Sequence, residues 1–416
     1  MKENWWGGLD RTKVRPGLDR IQALMDKLGH PERGYPIVHV AGTNGKGSTA
    51  ALIAAGLASQ GYRVGLTVSP DLGQINERVM LNRRPLEQEL WDRLGEEIEA
   101  AGVALPDVPT FFEAVTAMAF LAFRHWQVDV AVVEVGLGGR LDATNIISAP
   151  CLAVITPVAF DHMDRLGDTI GEIAAEKAGI VKAGSRLVLG RQPYPEARHL
   201  ILHRAQSLHV PVTEPAWFPE VREDGVWGQS PVGPLSVPLL GAYQAQNVAT
   251  ALSAMQVMET KGWVRDWDAV LADWARFTWP GRFQVMRRDP LWVIDGAHNP
   301  HGVLGVVETL KMEPYRRLRW TLVFGALADK PASDMLRLLL PFVHSVILTR
   351  IPSERAGDPA LLQSVAPGAE IVEDPWDAVR LAISRAHSQD GVLTTGSLAL
   401  LGYLLQQHRQ FGNITG

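Results

Sequence analysis

A single cysteine, Cys151, stands in a chain of 416 residues. It excludes an intrachain disulfide and a cysteine-built zinc site, and it suits a reducing compartment. No apolar run reaches the roughly 20 residues of a membrane span. The first 20 residues, MKENWWGGLDRTKVRPGLDR, hold no apolar core of signal-peptide length. Basic charge is also scarce: 40 Lys and Arg stand against 45 Asp and Glu, a formal charge of −5, and no dense Lys/Arg run reverses this. Nucleic acid is therefore not expected as a partner, because phosphate binding needs a basic face. Internal repeats and low-complexity tracts are absent. With 46% hydrophobic and 20% charged residues, the composition is that of a globular protein. The expectation is a cytoplasmic soluble enzyme or binding protein without a membrane partner, of two or three domains.

Apolar strand-like runs alternate with helix-like segments through the first 180 residues: Ile37–Val40, an Ala/Leu-rich helix from Ser48, Tyr62–Val68, a helix over Phe111–Trp126, Val128–Val135 and Leu152–Val158. Such alternation predicts a mostly parallel sheet covered by helices. The stretch from Gln192 to Leu240 is rich in Pro and Gly and reads as a small β excursion. A long helix comes next, over Gly241–Lys261. A second alternating block begins near Trp292, and WPGRFQVMRRDP (Trp279–Pro290) reads as the junction. The predicted division is residues 1–286, a P-loop-type doubly wound domain, and residues 287–416, a smaller Rossmann-like α/β domain. A ligand is expected in the cleft between them.

The strongest local signal is HVAGTNGKGSTA, His39–Ala50. A strand enters a glycine-rich turn and a helix begins. Gly42, Gly45 and Gly47 let backbone N–H groups close on a phosphate, and the helix start adds its own unpaired donors. Lys46 brings a point charge for β/γ oxygens, and Ser48 or Thr49 is placed to ligate Mg²⁺. The motif is not a standard Walker A, since Val40 and Gly47 stand where it has Gly and Ser/Thr. Only nine lysines occur in the chain, so one placed here is not readily explained as idle.

Together with eight segments further along the chain, GTNGKGS resembles the folate branch of the Mur ligase superfamily, the dihydrofolate synthases and folylpolyglutamate synthases. The likeness runs through SPDLGQINERVMLN (Ser69–Asn82), TFFEAVTAMAF, VVEVGLGGRLDATN, ITPVAFDHMDRLGDTIGEIAAEKAGIVK, GAYQAQN, WPGRFQ, DGAHNPHG and TTGSLALLG. It implies an ATP-dependent ligase in which a carboxylate becomes an acyl phosphate and the amine of L-glutamate displaces phosphate. ATP, L-glutamate and a pteroate or folate are the implied substrates, with Mg²⁺ as cofactor and a monomer as the working unit. A Mur-type amide ligase acting on another carboxylate, and an ATP-binding scaffold without catalysis, are the alternatives.

The resemblance also distributes roles. Thr43, Asn44, Gly45, Lys46, Gly47 and Ser48 are the implied phosphate loop. Asn247 is the adenine contact, and Asp295 lies by the ribose or phosphates. Ser48, Ser69, Glu134 and His162 are the implied metal ligands. Glu134 ends an apolar strand, where a carboxylate faces the ligand crevice, although a strand-end residue also caps helices. Lys177 falls in the last turn of a helix whose start carries Thr169 and Glu172 at capping-box spacing; the plain reading is a cation at the dipole's negative end, and the family reading is a carbamylated lysine. Arg282 at the junction is the implied phosphate clamp. His298 is assigned to the incoming glutamate and its deprotonation, Ser397 to glutamate, and Asp161 to a pterin. One loop departs from the common pattern: Asp71 replaces a His or aromatic, and Gln74-Ile75 replace Arg and an aromatic. Acceptor recognition is where this chain is expected to differ.

Overall fold

The computed structural model describes residues 8–10 and 15–411. Part of the N-terminal stretch inferred to lack a signal-peptide core, residues 1–7 and 11–14, thus lies outside the described residues. Three sheets organise the chain. The first has eight strands in the order Arg84–Pro85, Val79–Leu81, Val64–Thr67, Val130–Glu134, Ile37–Ala41, Leu152–Ile155, Leu187–Leu189 and Val212–Thr213. The last six run parallel; the first two form an antiparallel edge. Ile37–Ala41 and Val130–Glu134 are buried at every position, as their unbroken apolar runs require of strands covered on both faces.

The helix Lys46–Ala58 explains why its sequence is so small-sided. It lies between the sheet and a second helix, Gln244–Glu259, and every residue from Ser48 to Leu57 is buried. A Cβ on Gly56 would stand 2.7 Å from the Met255 side chain. The Trp274 indole N–H, from the helix Trp267–Trp274, donates to the Leu52 carbonyl at 3.0 Å. The helix Phe111–His125 starts on a complete capping box between Thr110 and Glu113.

The Gln192–Leu240 stretch is only partly the β excursion expected. Its second half is a three-stranded antiparallel sheet, Glu220–Arg222, Gly225–Ser230 and Gly233–Val237. Its first half is a helix, Pro195–Ser207, with Pro at the first position. That helix buries only Ala197, Ile201 and Ala205, a stripe too narrow to register as amphipathic against the surrounding Pro and Gly.

The third sheet has six strands in the order Gln284–Arg288, Leu291–Ile294, Asp390–Thr395, Arg319–Phe324, Ser345–Leu348 and Glu370–Ile371. All are parallel except the first. The cut expected near Arg287 falls inside that first strand. Side chains cluster on both faces of this sheet, around Trp320 and Phe324 on one and Trp292 and Trp376 on the other. The loops leaving the C-terminal ends of Ile37–Ala41, Val64–Thr67, Val130–Glu134 and Leu152–Ile155, together with the loop after Leu291–Ile294, meet at one cavity. No helix among the described residues is long and apolar enough to cross a membrane.

Candidate functional site

The cavity has a volume of about 670 Å³. Its floor is the loop from Gly42 to Ser48, which leaves a central strand where the chain's path switches sides of the sheet. In open α/β sheets that is the ligand position. Two glycines there are dictated by geometry. Gly42 has φ +145° and a Cβ would lie 1.9 Å from Thr156 Oγ1; Gly45 has φ +85° and a Cβ would lie 2.2 Å from Asn247 Oδ1. Thr43 ties the loop to the neighbouring strand end, donating through its hydroxyl to the Ala159 carbonyl and accepting from the Ala159 N–H, both at 3.0 Å. Gly45→Ala therefore combines left-handed strain of roughly 1–2 kcal/mol with displacement of Asn247. We expect nucleotide affinity to fall about tenfold or more in an equilibrium titration.

Glu134 stands at the end of its strand, buried, inside the cavity. Its Oε2 accepts from the Ser69 backbone N–H at 3.0 Å, and its Oε1 lies 3.8 Å from Lys46 Nζ. The carboxylate faces the crevice and caps no following helix. Burial raises its pKa, while Lys46 and the Ser69 N–H oppose that rise. Lys46 also donates to the Thr43 carbonyl at 3.3 Å. Ser48 Oγ is buried with no hydrogen-bond partner, an orphan that a cation or a phosphate oxygen would satisfy. Among the described residues no three His, Cys, Asp or Glu side chains gather as a metal-ligating group. One carboxylate, two serine hydroxyls and an imidazole at the rim fit a hard cation that takes most of its shell from phosphate and water.

Lys177, in the last turn of the helix Ile170–Ala178, is buried and also lines the cavity. The Thr169–Glu172 capping box that starts this helix is fully formed. Nζ donates to the Gly42 carbonyl at 2.9 Å. Burial, reinforced by the nearby Lys46, lowers its pKa to about 7. The dipole reading is thus incomplete, because an exposed last-turn lysine would keep its ordinary value.

Asp161 and His162 meet residues that arrive from the third sheet. Lys330 Nζ lies 2.6 Å from Asp161 Oδ1 and 3.1 Å from His162 Nε2. Asn299 Nδ2 donates to Asp161 Oδ2 at 2.9 Å, and His298 Nε2 stands 3.6 Å from the same oxygen. Burial alone would raise the Asp161 pKa, but His298, His162 and Lys330 hold it well below the usual carboxylate range. Burial, with Lys330 adding to it, lowers the His162 pKa to about 4 against the pull of Asp161. Asn44 and Asn299 exchange side-chain amide hydrogen bonds at 3.0 and 3.1 Å, so the phosphate loop is fastened to the same cluster. Lys330 and Asp161 side chains are 5% and 8% exposed. Removing one partner strands a buried charge, so Lys330→Met is expected to cost about 3–5 kcal/mol in urea denaturation. Adding Asp161→Asn to it is expected to recover much of that loss.

Asp295 is engaged on both oxygens. Oδ1 accepts from the Ala297 N–H and Oδ2 from the Phe283 N–H, each at 2.8 Å, and the Tyr243 hydroxyl also donates to Oδ2. Burial raises its pKa, with Tyr243 and Arg282 opposing. His298 Nδ1–H donates to the Gly296 carbonyl at 2.9 Å, which leaves Nε2 toward Asp161. Arg282 lines the cavity and donates to the Gly281 carbonyl at 3.1 Å. Asn247 donates to Gln244 Oε1 at 2.8 Å and lies over Gly45. Ser397 sits behind the wall formed by Leu398. It is buried, and its hydroxyl accepts from the Ala399 N–H at 3.1 Å. Every other residue assigned a role from the resemblance lines the cavity. Sequence reasoning misses Lys330, Asn299 and Tyr243. ADKP, the Asn of DGAHNP and the Tyr of GAYQAQN carry no local signature, although two of them lie inside motifs that carry the resemblance.

Residues 40–193 match the Mur ligase middle domain and residues 281–398 the Mur ligase glutamate ligase domain. The chain is 37% identical over 417 residues to the dihydrofolate synthase/folylpolyglutamate synthase of Bacillus subtilis, covering 95% of each. It superposes on Mycobacterium tuberculosis folylpolyglutamate synthase complexed with ADP with a TM-score of 0.88 and 35% identity, covering 95% of both. The Yersinia pestis bifunctional folylpolyglutamate synthase/dihydrofolate synthase complexed with AMPPNP and Mn ion gives a TM-score of 0.85 at 30% identity, covering 97% of this chain and 96% of that one. The chain belongs to the dihydrofolate synthase/folylpolyglutamate synthase family of the Mur ligases.

Proposed function

We propose that this protein is an ATP-dependent ligase that joins L-glutamate to the carboxylate of a pteroate or folate through an acyl phosphate. The observation that carries the reading is the Gly42–Ser48 loop placed against a buried carboxylate, Glu134, and a buried lysine, Lys177, within one cavity. The loop N–H groups and Lys46 hold the ATP phosphates, Asn247 borders the base, and Arg282 closes on the phosphates from the junction. Mg²⁺ held by Ser48, Ser69, Glu134 and His162 would neutralise phosphate oxygens. The acceptor carboxylate oxygen attacks the γ-phosphorus, and ADP leaves. The glutamate amine, its ammonium proton passed to His298, then attacks the acyl carbon, and phosphate departs with the amine's second proton as the amide forms. Asp161, facing His298 Nε2 at 3.6 Å, stabilises the imidazolium and so acts on glutamate through His298. Asp295 acts through Tyr243 and the 295–298 turn, and Ser397 through the backbone just after it.

Lys177 is the proposed carbamylation site. A neutral amine adds CO₂ and releases a proton, and the resulting anion answers the neighbouring cation Lys46, which adds to burial in depressing its pKa. In the proposed division of labour, residues 1–286 carry most of the nucleotide site, with Asp295 joining it from beyond the junction, and residues 287–416 carry glutamate. A monomer working in the cytoplasm completes the reading; the single cysteine suits that compartment.

A Mur-type ligase acting on a different carboxylate gains from one observation. Asp71 Oδ2 accepts from Arg78 at 2.7 Å, which neutralises a cation of the acceptor loop. Phosphate release from ATP, assayed with L-glutamate and with 7,8-dihydropteroate or tetrahydrofolate, separates the two readings. Release that requires both glutamate and a pteridine acceptor is expected. Release with glutamate and other carboxylates only would favour the second reading.

A further inference from the structure

A second cavity of about 350 Å³ opens off the first and shares Gly47, Ser69, Glu134 and Arg282 with it. Arg83, Arg276 and Arg409 line it, and the Trp279 ring borders Gly47 where the two cavities join. The acids that line it are already engaged. Asp71 is paired with Arg78 at 2.7 Å, and Glu77 accepts from the Leu72 N–H at 3.0 Å and from Arg409 at 3.3 Å. Arg83 pairs with Asp273 at 3.1 Å, leaving its other nitrogens for a ligand. Arg276 is exposed and has no ion-pair partner among the described residues. The loop stretch Asp71–Ile75 brings neither a cation nor a ring to this cavity; other segments supply both.

Resting on the function proposed above, the reacting carboxylate lies at the Glu134 end, and the rest of the acceptor runs toward Arg83 and Arg276. A dihydropteroate ends in a benzoate and offers no second carboxylate. An acceptor already ending in glutamate presents an α-carboxylate beside the reacting γ-carboxylate, and each further γ-linked residue adds another. We propose that Arg83 and Arg276 form a subsite for those α-carboxylates, and that they set the preference for glutamylated folates over dihydropteroate.

The test compares kcat/KM for tetrahydrofolate diglutamate with kcat/KM for dihydropteroate. Arg276→Gln is the primary variant, because an exposed, unpaired guanidinium can be lost without stranding a carboxylate. The ratio is expected to fall about tenfold through KM for the diglutamate, the size of one lost charge-assisted hydrogen bond. It falls further in Arg83→Gln/Arg276→Gln and returns toward the starting value in Arg276→Lys. A ratio within about twofold of the unaltered enzyme in both Gln variants overturns the subsite. An unaltered enzyme inert with every pteridine acceptor would instead contradict the proposed function, and the subsite would fall with it.

Discussion

Glu134→Gln is expected to lower glutamate-dependent turnover by about 10²–10³-fold, the usual cost of losing one preorganised electrostatic partner at a reacting centre. The substitution isolates charge from shape. Gln keeps an oxygen to accept the Ser69 N–H that now donates to Oε2 at 3.0 Å. It removes the anion that faces Lys46 at 3.8 Å. Because burial works against the ionised carboxyl, an amide of the same size is at least as easily buried. The melting temperature is therefore expected to hold or rise while activity collapses. A parallel loss of both would mean that Glu134 serves the fold and not the chemistry.

Lys177→Ala is expected to cost about as much, roughly 10²-fold or more, since it would delete the proposed carbamate anion beside Lys46. The pH dependence comes from the lowered pKa. Carbamylation needs the neutral amine, so activity limited by it rises with pH through about 7. The stability contribution has the same sign. From about 7 up to the ordinary lysine value, the unfolded chain binds a proton that the folded one does not, so stability rises with pH in that window and the protonated folded form is penalised below it. Labelled bicarbonate should give a carbamate carbon signal that Lys177→Ala lacks, and added short carboxylic acids should restore part of the variant's turnover. An enzyme that keeps full activity after rigorous CO₂ removal, with no carbamate signal, would leave Lys177 as an unmodified buried amine.

The sequence is most readable where interactions are short-ranged. The turn at Gly42–Ser48, the capping box at Thr169–Glu172 and the strand ending at Glu134 are each set within a few residues, so their conformations can be inferred locally. The burial of Lys177 is different. Its helix is legible, but the loss of solvent around Nζ depends on the Gly42 carbonyl 135 positions away. The cluster on Asp161 is less legible still, because Lys330 and Asn299 reach it from the third sheet across 169 and 138 positions. Nothing in ADKP announces that its lysine will be buried against a carboxylate. The helix Pro195–Ser207 escapes notice for another reason: its three buried residues leave a stripe too thin to outweigh the breakers around it. Arg83 and Arg276 gain their meaning only from the cavity that brings them to the same wall.

In the proposed reaction, one crevice activates a pteridine-linked carboxylate as an acyl phosphate and passes it to glutamate. Dihydropteroate carrying heavy oxygen in its carboxylate, incubated with ATP, Mg²⁺ and L-glutamate, tests it most directly by mass spectrometry of both products. A new glutamyl amide is predicted, together with released phosphate that carries an oxygen from the labelled carboxylate. Unlabelled phosphate, or phosphate released without glutamate and without amide, would contradict it.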